Sequence, residues 1–327
     1  MPRLIATLVV LLRLTATAMA GVGAVAALAA TAGWLNDSLD ALTHFAPYWL
    51  ALGLAGLLLW FATGGRDVKT ATPIAGAVAV LLAGGLILPE LVRSAGPQPT
   101  AGRETLKLVQ FNLWGRNTDP EGSVAWIRAQ KADVVVLEEA FGEAGGVARA
   151  LADDFPYQTS CAEPDPCPVM ILSRREPVSR EGLGAASAGD PLPAVRVTWR
   201  TAAGEFSVIG AHYIWPYPAG PQQEMTRDLA KAIHSLPADS TIVAGDFNST
   251  PWSFSLRRQD RLFGLARRTR ALATWPAASF SRYQVGFPVP FLPIDHVYAG
   301  SAWKTVSVER GPKLGSDHYP VVVVLSR

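Results

Sequence analysis

Three long apolar stretches open the chain, and shorter apolar runs separated by charged residues fill the rest. The first stretch covers about 4–35 and is broken by Arg13; the second, 45–63, carries no charge; the third, 73–92, has Glu90 near its end. A helix that crosses the hydrocarbon core of a bilayer needs about 20 apolar residues. Helix is demanded there because lipid offers backbone groups no water partner. None of the stretches has the one-sided pattern of a soluble helix, so each is expected to span a membrane. Arg13 would reach toward the headgroups. Ala18-Met19-Ala20 also offers a small-x-small cleavage site, which leaves removal of residues 1–20 as a signal peptide as the competing reading of the first stretch.

Residues 94–104, rich in Gly and Pro, read as a linker, and the pattern beyond them changes. Buried strands are expected at Leu106–Phe111, Val134–Leu137, Met170–Leu172, Ala194–Trp199, Phe206–Ala211, Thr241–Ala244, Ile294–Tyr298 and Val321–Leu325. Helices are expected at Gly122–Gln130 and Gln222–Leu236. So many strands with interspersed helices predict sheets packed on each other under outer helices. The organisation that follows is a membrane region at 1–93, the linker, and a single domain at 105–327.

Charge sharpens this division. Residues 1–96 hold only five basic residues (Arg3, Arg13, Arg66, Lys69, Arg93) and four acidic ones (Asp37, Asp40, Asp67, Glu90), leaving 24 of 29 basic and 23 of 27 acidic residues to the remainder. That remainder is nearly neutral and has no general attraction for polyphosphate. At 17% charged residues the chain is neither a disordered tail nor a polyelectrolyte binder. Arg3 precedes the first stretch and Arg66 and Lys69 separate the second from the third, whereas the loop with Asn36, Asp37 and Asp40 has no basic residue. Lysine and arginine favour the cytoplasmic side, so the 105–327 domain is expected outside, periplasmic or extracellular, on a multi-pass membrane protein. The only cysteines, Cys161 and Cys167, stand in a Pro-rich loop. A disulfide between them would persist in an oxidising compartment, two free thiols being the other reading.

The polar residues that suggest chemistry fall at strand ends: Asn112, Glu138 and Glu139, His212, Asp246 and Asn248, Asp295 and His296, Asp317 and His318. Strand ends are where a sheet scaffold gathers a site from distant sequence. Carboxylates with an amide suit a hard divalent cation that prefers oxygen, Mg²⁺ or Mn²⁺. An Asp beside His suits proton transfer, and imidazole with a metal stabilises charge on a phosphoryl oxygen. Together they point to attack of water on a phosphate ester. The sequence has no phosphate-binding Gly-x-x-x-x-Gly-Lys loop and no Gly-x-Ser-x-Gly elbow.

The ordered strings Gln110-Phe-Asn112-Leu, Asp133-Val-Val-Val-Leu-Glu-Glu139, Ile171-Leu-Ser-Arg174, Gly210-Ala-His212, Ala244-Gly-Asp246-Phe-Asn248, Ile294-Asp295-His296 and Gly315-Ser-Asp317-His318-Tyr-Pro resemble the endonuclease/exonuclease/phosphatase superfamily over about 105–327. The resemblance implies an α/β fold, a four-layer α/β/β/α sandwich here preceded by three transmembrane helices, and divalent-metal phosphoester hydrolysis. It implies that Glu139 is the principal metal ligand, with Asn112 beside it and Asp317 helping at the metal or the pocket. Asp246 would orient or deprotonate the attacking water and Asn248 would hold the scissile phosphate. His318 and His212 would contact phosphoryl oxygens, and Asp295 would orient His318.

Two positions depart from that pattern. Glu138 stands where the family usually has Gln, adding a charge of no evident use, and Trp114 stands where apurinic-site enzymes carry Asp, which argues against DNA repair. The substrate is expected to be a phosphoester, either nucleic acid or a phospholipid headgroup, with the lipid bilayer as the other partner and no protein partner implied. A noncatalytic sensor or binding module retaining the fold is the alternative. Trp114, Trp215, Tyr217, Trp252, Trp275, Phe280, Tyr283, Phe287 and Phe291 cluster near the motif loops, as a substrate platform or as ordinary packing. The apolar loop Phe287–Pro293 could dip into headgroups.

Overall fold

The computed structural model describes residues 2–68, 70–93, 99, 103–162, 167–184, 192–277 and 289–327. Lys69, most of the linker, Phe280, Tyr283 and Phe287 lie outside the described residues. The chain forms two compact units: 1–93 with 250–257, and 94–249 with 258–327.

The first unit consists of α1 (Pro2–Thr31), a four-residue turn of helix α2 (Asp37–Asp40), α3 (Ala46–Ala62) and α4 (Ala71–Leu91). Three helical stretches, Arg3–Trp34, Asp37–Ala62 and Ala71–Leu91, are long and apolar enough to cross a membrane. Their packing inverts that of a soluble bundle. Small residues face inward, with Ala16, Ala20, Ala27, Ala79, Ala83, Gly53 and Gly76 buried, while Leu4, Leu8, Leu14, Val25, Leu58 and Leu81 stand exposed. Small residues let backbones approach closely where lipid supplies no hydrophobic drive. Two polar contacts lie inside: Arg13 donates to the Thr63 carbonyl at 2.7 Å, and the Thr17 and Thr72 hydroxyls lie 2.7 Å apart. In the same unit the Asp40 carboxylate accepts from the backbone N–H groups of Phe254 and Ser255 at 2.8 and 2.7 Å.

The second unit runs β1 (Thr105–Asn112), α5 (Pro120–Gln130), β2 (Val134–Glu138), α6 (Val147–Ala150), β3 (Tyr157–Ser160), β4 (Met170–Ser173), β5 (Ser179–Gly184), β6 (Ala194–Thr201), β7 (Gly204–His212), α7 (Ala219–His234), β8 (Thr241–Asp246), α8 (Phe254–Phe263, its first turn counted with the other unit), β9 (Ala266–Arg267), β10 (Asp295–Ala299), β11 (Lys304–Arg310) and β12 (Val321–Ser326). The strands make two six-stranded sheets, ordered β11-β12-β1-β2-β4-β3 and β5-β6-β7-β8-β10-β9. Each has one parallel pair, β1 with β2 and β7 with β8, joined through α5 and α7 respectively. Parallel neighbours require such a crossover.

The period-two alternation of β1 and β2 explains the layers. Leu106, Leu108, Val134 and Val136 face the other sheet and pack with Val195, Val197, Val208, Ile242 and Ala244. Val109, Phe111, Val135 and Leu137 face the opposite way, against Ile127, Val147 and Leu151 of the helical layer. Helix α7 buries Met225, Leu229 and Ile233 along one stripe. Two mixed sheets with outer helices constitute the expected α/β sandwich. Cys161 and Cys167 are joined as a disulfide.

Candidate active site

Strand register does much of the assembly. Across β7, β8 and β10, His212, Asp246 and Asp295 occupy one rung. Across β1 and β2, Asn112 pairs with Glu138. Residues on one rung send side chains to the same face of a sheet. The rung at β8 depends on Gly245, where a Cβ would strike the Ala211 carbonyl oxygen on β7, so the strands close up there only without a side chain.

Beyond the strand ends the backbone turns sharply. Trp114, Glu139 and Asn248 adopt φ of 57°, 50° and 47°, the left-handed region that non-glycine residues avoid. Such conformations persist where surrounding contacts over-determine them, and they gather at functional sites. Glu139 is held by the Asn112 amide, which donates to Oε1 at 3.2 Å, and by the Gly115 N–H, which donates to Oε2 at 3.2 Å. Asn248 is held by its own N–H donating to Asp246 Oδ1 at 2.8 Å and by its amide donating to the Tyr213 carbonyl at 2.8 Å.

Asp246 Oδ2 is the hub. It accepts from Asn112 Nδ2 at 3.0 Å, and His212 Nε2 and His318 Nε2 stand 3.7 and 3.6 Å away. His212 Nε2 also lies 3.8 Å from Glu139 Oε1. His318 Nδ1 donates to Asp295 Oδ2 at 2.9 Å, which leaves its Nε2 facing Asp246. Asp295 is itself fixed by Thr274 Oγ1 at 2.5 Å and by Gln110 Nε2 at 2.8 Å. Asp317 Oδ2 accepts from Trp275 Nε1 at 3.3 Å, while its buried Oδ1 accepts no hydrogen bond among the described residues.

Burial and charge pull these groups in opposite directions. Burial pushes the Asp246 carboxyl up to about 8, with His318 opposing it. Burial alone would lower His318, but the carboxylates of Asp295 and Asp246 outweigh it and hold the imidazole well above its usual range. His212 is lowered, chiefly by burial, against the pull of Glu139. Asp295 sits below the ordinary carboxylate range: burial raises it, and the contacts with His318, Thr274 and Gln110 overcome that. Glu138 is fully buried and, by burial and then by Asp295, raised far above the carboxylate range. The departure at 138 therefore adds a neutral acid, whose Oε2 accepts from Gln110 at 2.9 Å, and no unwanted charge.

A recess of about 650 Å³ opens over this floor, lined by Glu139, His212, Asp246, Asn248, Asp317 and His318 together with aromatic side chains. Asn112 and Asp295 lie beneath it, fully buried. Of the ten polar residues singled out in the sequence, the structure thus brings to one place the eight to which the resemblance gives roles. His296 goes elsewhere, its Nε2 donating to the Ser249 carbonyl at 2.8 Å. Asp246, Asp295 and His318 offer ligand atoms within 4.8 Å of one another and could hold a metal ion. One face of that group is already used by the His318–Asp295 hydrogen bond. Glu139 and Asp317 supply further oxygens at the recess surface, and Asp317 Oδ1, which accepts no hydrogen bond among the described residues and lies 4.0 Å from His318 Nε2, is a donor atom of the kind a hard cation takes.

Three supporting residues carry no sequence signal of their own. Gln110 and Ser316 sit inside the quoted strings without an assigned role. Ser316 Oγ donates to the Asn112 carbonyl at 2.7 Å and accepts from the His318 N–H at 3.0 Å, tying the two motif loops together. Thr274 lies in no motif, and only the fold brings it to Asp295.

Residues 109–318 match the model of the Endonuclease/Exonuclease/phosphatase family. No curated protein is similar enough in sequence to match the chain. Among solved structures, an endonuclease/exonuclease/phosphatase from Beutenbergia cavernae is 22% identical, with a TM-score of 0.51 over 68% of this chain and 72% of that one. Beta toxin from Staphylococcus aureus, solved as a mutant with bound magnesium ions, is 17% identical, with a TM-score of 0.53 over 68% of this chain and 100% of that one. D. rerio TDP2 complexed with a single-strand DNA product is 14% identical, with a TM-score of 0.55 over 68% of this chain and 100% of that one. With motifs, layered sheets and family model in agreement, the chain belongs to the endonuclease/exonuclease/phosphatase family and is a hydrolase acting on phosphoester bonds.

Proposed function

We propose that this protein is a membrane-anchored, divalent-metal-dependent phosphoesterase whose catalytic domain, residues 105–327, works outside the cytoplasm, tethered through 94–104 to a membrane region at 1–93. The observation that carries the reading is the convergence on Asp246 Oδ2 of Asn112, His212 and an Asp295-supported His318 under one open recess. The outside location is supported by the basic residues Arg3 and Arg66 flanking a loop without any, and by the Cys161–Cys167 disulfide.

A Mg²⁺ or Mn²⁺ ion held by Glu139 and Asp317, with Asn112 beside Glu139, would supply positive charge to the phosphoryl oxygens. The chain's own groups do the rest. Asp246 orients a water and takes its proton at Oδ2, the atom on which Asn112, His212 and His318 converge. His318, charged and fixed by Asp295, presents Nε2–H to a phosphoryl oxygen as negative charge builds on it. His212 borders the same space from the Glu139 side, and Asn248 positions the phosphate from the far side of Asp246. The substrate class is a phosphodiester at or near the membrane, a lipid headgroup or nucleic acid. A toxin with bound magnesium ions and D. rerio TDP2 complexed with a single-strand DNA product, both among the structural relatives, support metal and phosphoester alike.

The test is hydrolysis of a generic phosphodiester by the detergent-solubilised protein with Mg²⁺ or Mn²⁺ added. Asp246→Asn and His318→Ala are each expected to cost about 10²- to 10⁴-fold in kcat with an unchanged unfolding midpoint. Turnover undiminished in both variants would remove the mechanism.

A further inference from the structure

The wall of the recess is chemically unlike its floor. It is built from Trp114, Phe141, Trp215 and Trp275, with Ile214 and Met225, and no lysine or arginine lines it among the described residues. The inner part is fixed: Trp275 donates to Asp317 and meets Phe291 edge-on at 6.0 Å. The outer part is uncovered. Trp215, edge-on to Trp275 at 6.2 Å, is 64% exposed, and Phe141 is 47% exposed. Large apolar side chains left open beside a polar floor gain when a ligand covers them.

Charge narrows what that ligand can be. Glu139, Asp246 and Asp317 line the recess, so its floor brings acidic side chains rather than basic ones to a ligand. A nucleic acid brings phosphates on both sides of the scissile one, and holding them takes lysine, arginine or clustered N–H donors. Among the described residues the wall offers ring faces instead.

Resting on the phosphoesterase reading, we propose that this wall is a subsite for a flat or apolar alcohol group of a phosphodiester that carries a single phosphate, and that Trp215 and Phe141 determine specificity for it. Neither residue touches the reacting atoms. Both select what is seated beside them.

Binding to the full-length protein in Mg²⁺ separates the possibilities, with diphenyl phosphate and dimethyl phosphate as probes, followed by calorimetry and by quenching of tryptophan emission. Diphenyl phosphate is expected to bind at least about tenfold more tightly, since stacking on one aromatic side chain is worth about 1–3 kcal/mol. Trp215→Ala and Phe141→Ala should each remove about fivefold or more of that preference and leave dimethyl phosphate within about twofold, whereas Trp215→Phe should keep most of it. The pH profile of bis-nitrophenyl phosphate hydrolysis should keep its shape in all three variants. Equal affinity for the two probes, equal loss of both in the variants, or an oligothymidylate that displaces diphenyl phosphate at lower concentration would each overturn the subsite. Preference in binding without any hydrolysis would overturn the phosphoesterase reading and leave the subsite standing.

Discussion

At the scale of single residues the site separates charges by environment. Asp295 and Glu138 are both fully buried and both bonded to the Gln110 amide, yet they are held in opposite states. Asp295 is lowered because His318, Thr274 and Gln110 compensate its burial; Glu138 is raised because burial and the Asp295 charge outweigh the Gln110 hydrogen bond and the pull of His318, so that the protonated acid is favoured. Since Asp295 raises His318, the charged imidazole survives to higher pH than a free one would, and activity that needs it falls as pH rises through that raised value. Asp295→Asn removes the support, so the alkaline limb of the pH–rate profile should move to lower pH and kcat should drop about 10²-fold. Glu138→Gln replaces a neutral acid by a neutral amide and should leave both limb and rate almost unmoved; a limb that stays put in Asp295→Asn, or shifts in Glu138→Gln, contradicts the assignment. The eight side chains that gather at the recess were legible as candidates in the sequence because carboxylate, amide and imidazole at strand ends are rare together. Thr274 was not, since hydroxyls are common and only the fold brings this one within 2.5 Å of Asp295.

Among the elements, what the sequence revealed follows burial. The central strands β1, β2, β7, β8 and β12 are almost wholly buried and read as apolar runs. The strands β5 and β11 were invisible: each lies at a sheet edge, and most of their side chains are exposed or half-buried. Edge strands need no apolar alternation and are often kept polar against aggregation. Helix α8 was missed because its buried stripe of Leu256, Gln259 and Phe263 contains an amide where the pattern wants an aliphatic residue. Between β7 and β8 the approach at Gly245 fixes the rung that carries His212 and Asp246. Gly245→Ala would put a methyl group against backbone atoms that cannot rotate away. A loss of about 1–3 kcal/mol in chemical denaturation is expected. Activity per folded molecule should fall with it, because the two strands part where the proposed catalytic side chains His212 and Asp246 stand. Full activity in a destabilised variant would show that the rung does not set the site.

For the whole molecule the informative pattern is the inversion between its two units. One buries Val, Ile and Leu between sheets; the other buries Ala and Gly and exposes Leu and Val. An exposed aliphatic surface on three helices of spanning length has a physical rationale in lipid, where packing of small residues holds helices together. With Arg3 and Arg66 retained on the cytoplasmic side and three crossings, residues 94–327 would emerge on the other side, where the Cys161–Cys167 bond survives. Two labelling experiments bear on this together. In membranes prepared without reductant, neither cysteine should react with a maleimide, and both should react after dithiothreitol. In right-side-out spheroplasts, protease should remove an epitope tag placed after Arg327 while an epitope preceding Pro2 survives until the membrane is broken. A protected C-terminal tag with thiols that alkylate directly would turn the molecule over, and the enzyme would then meet its phosphoester on the inner face of the bilayer.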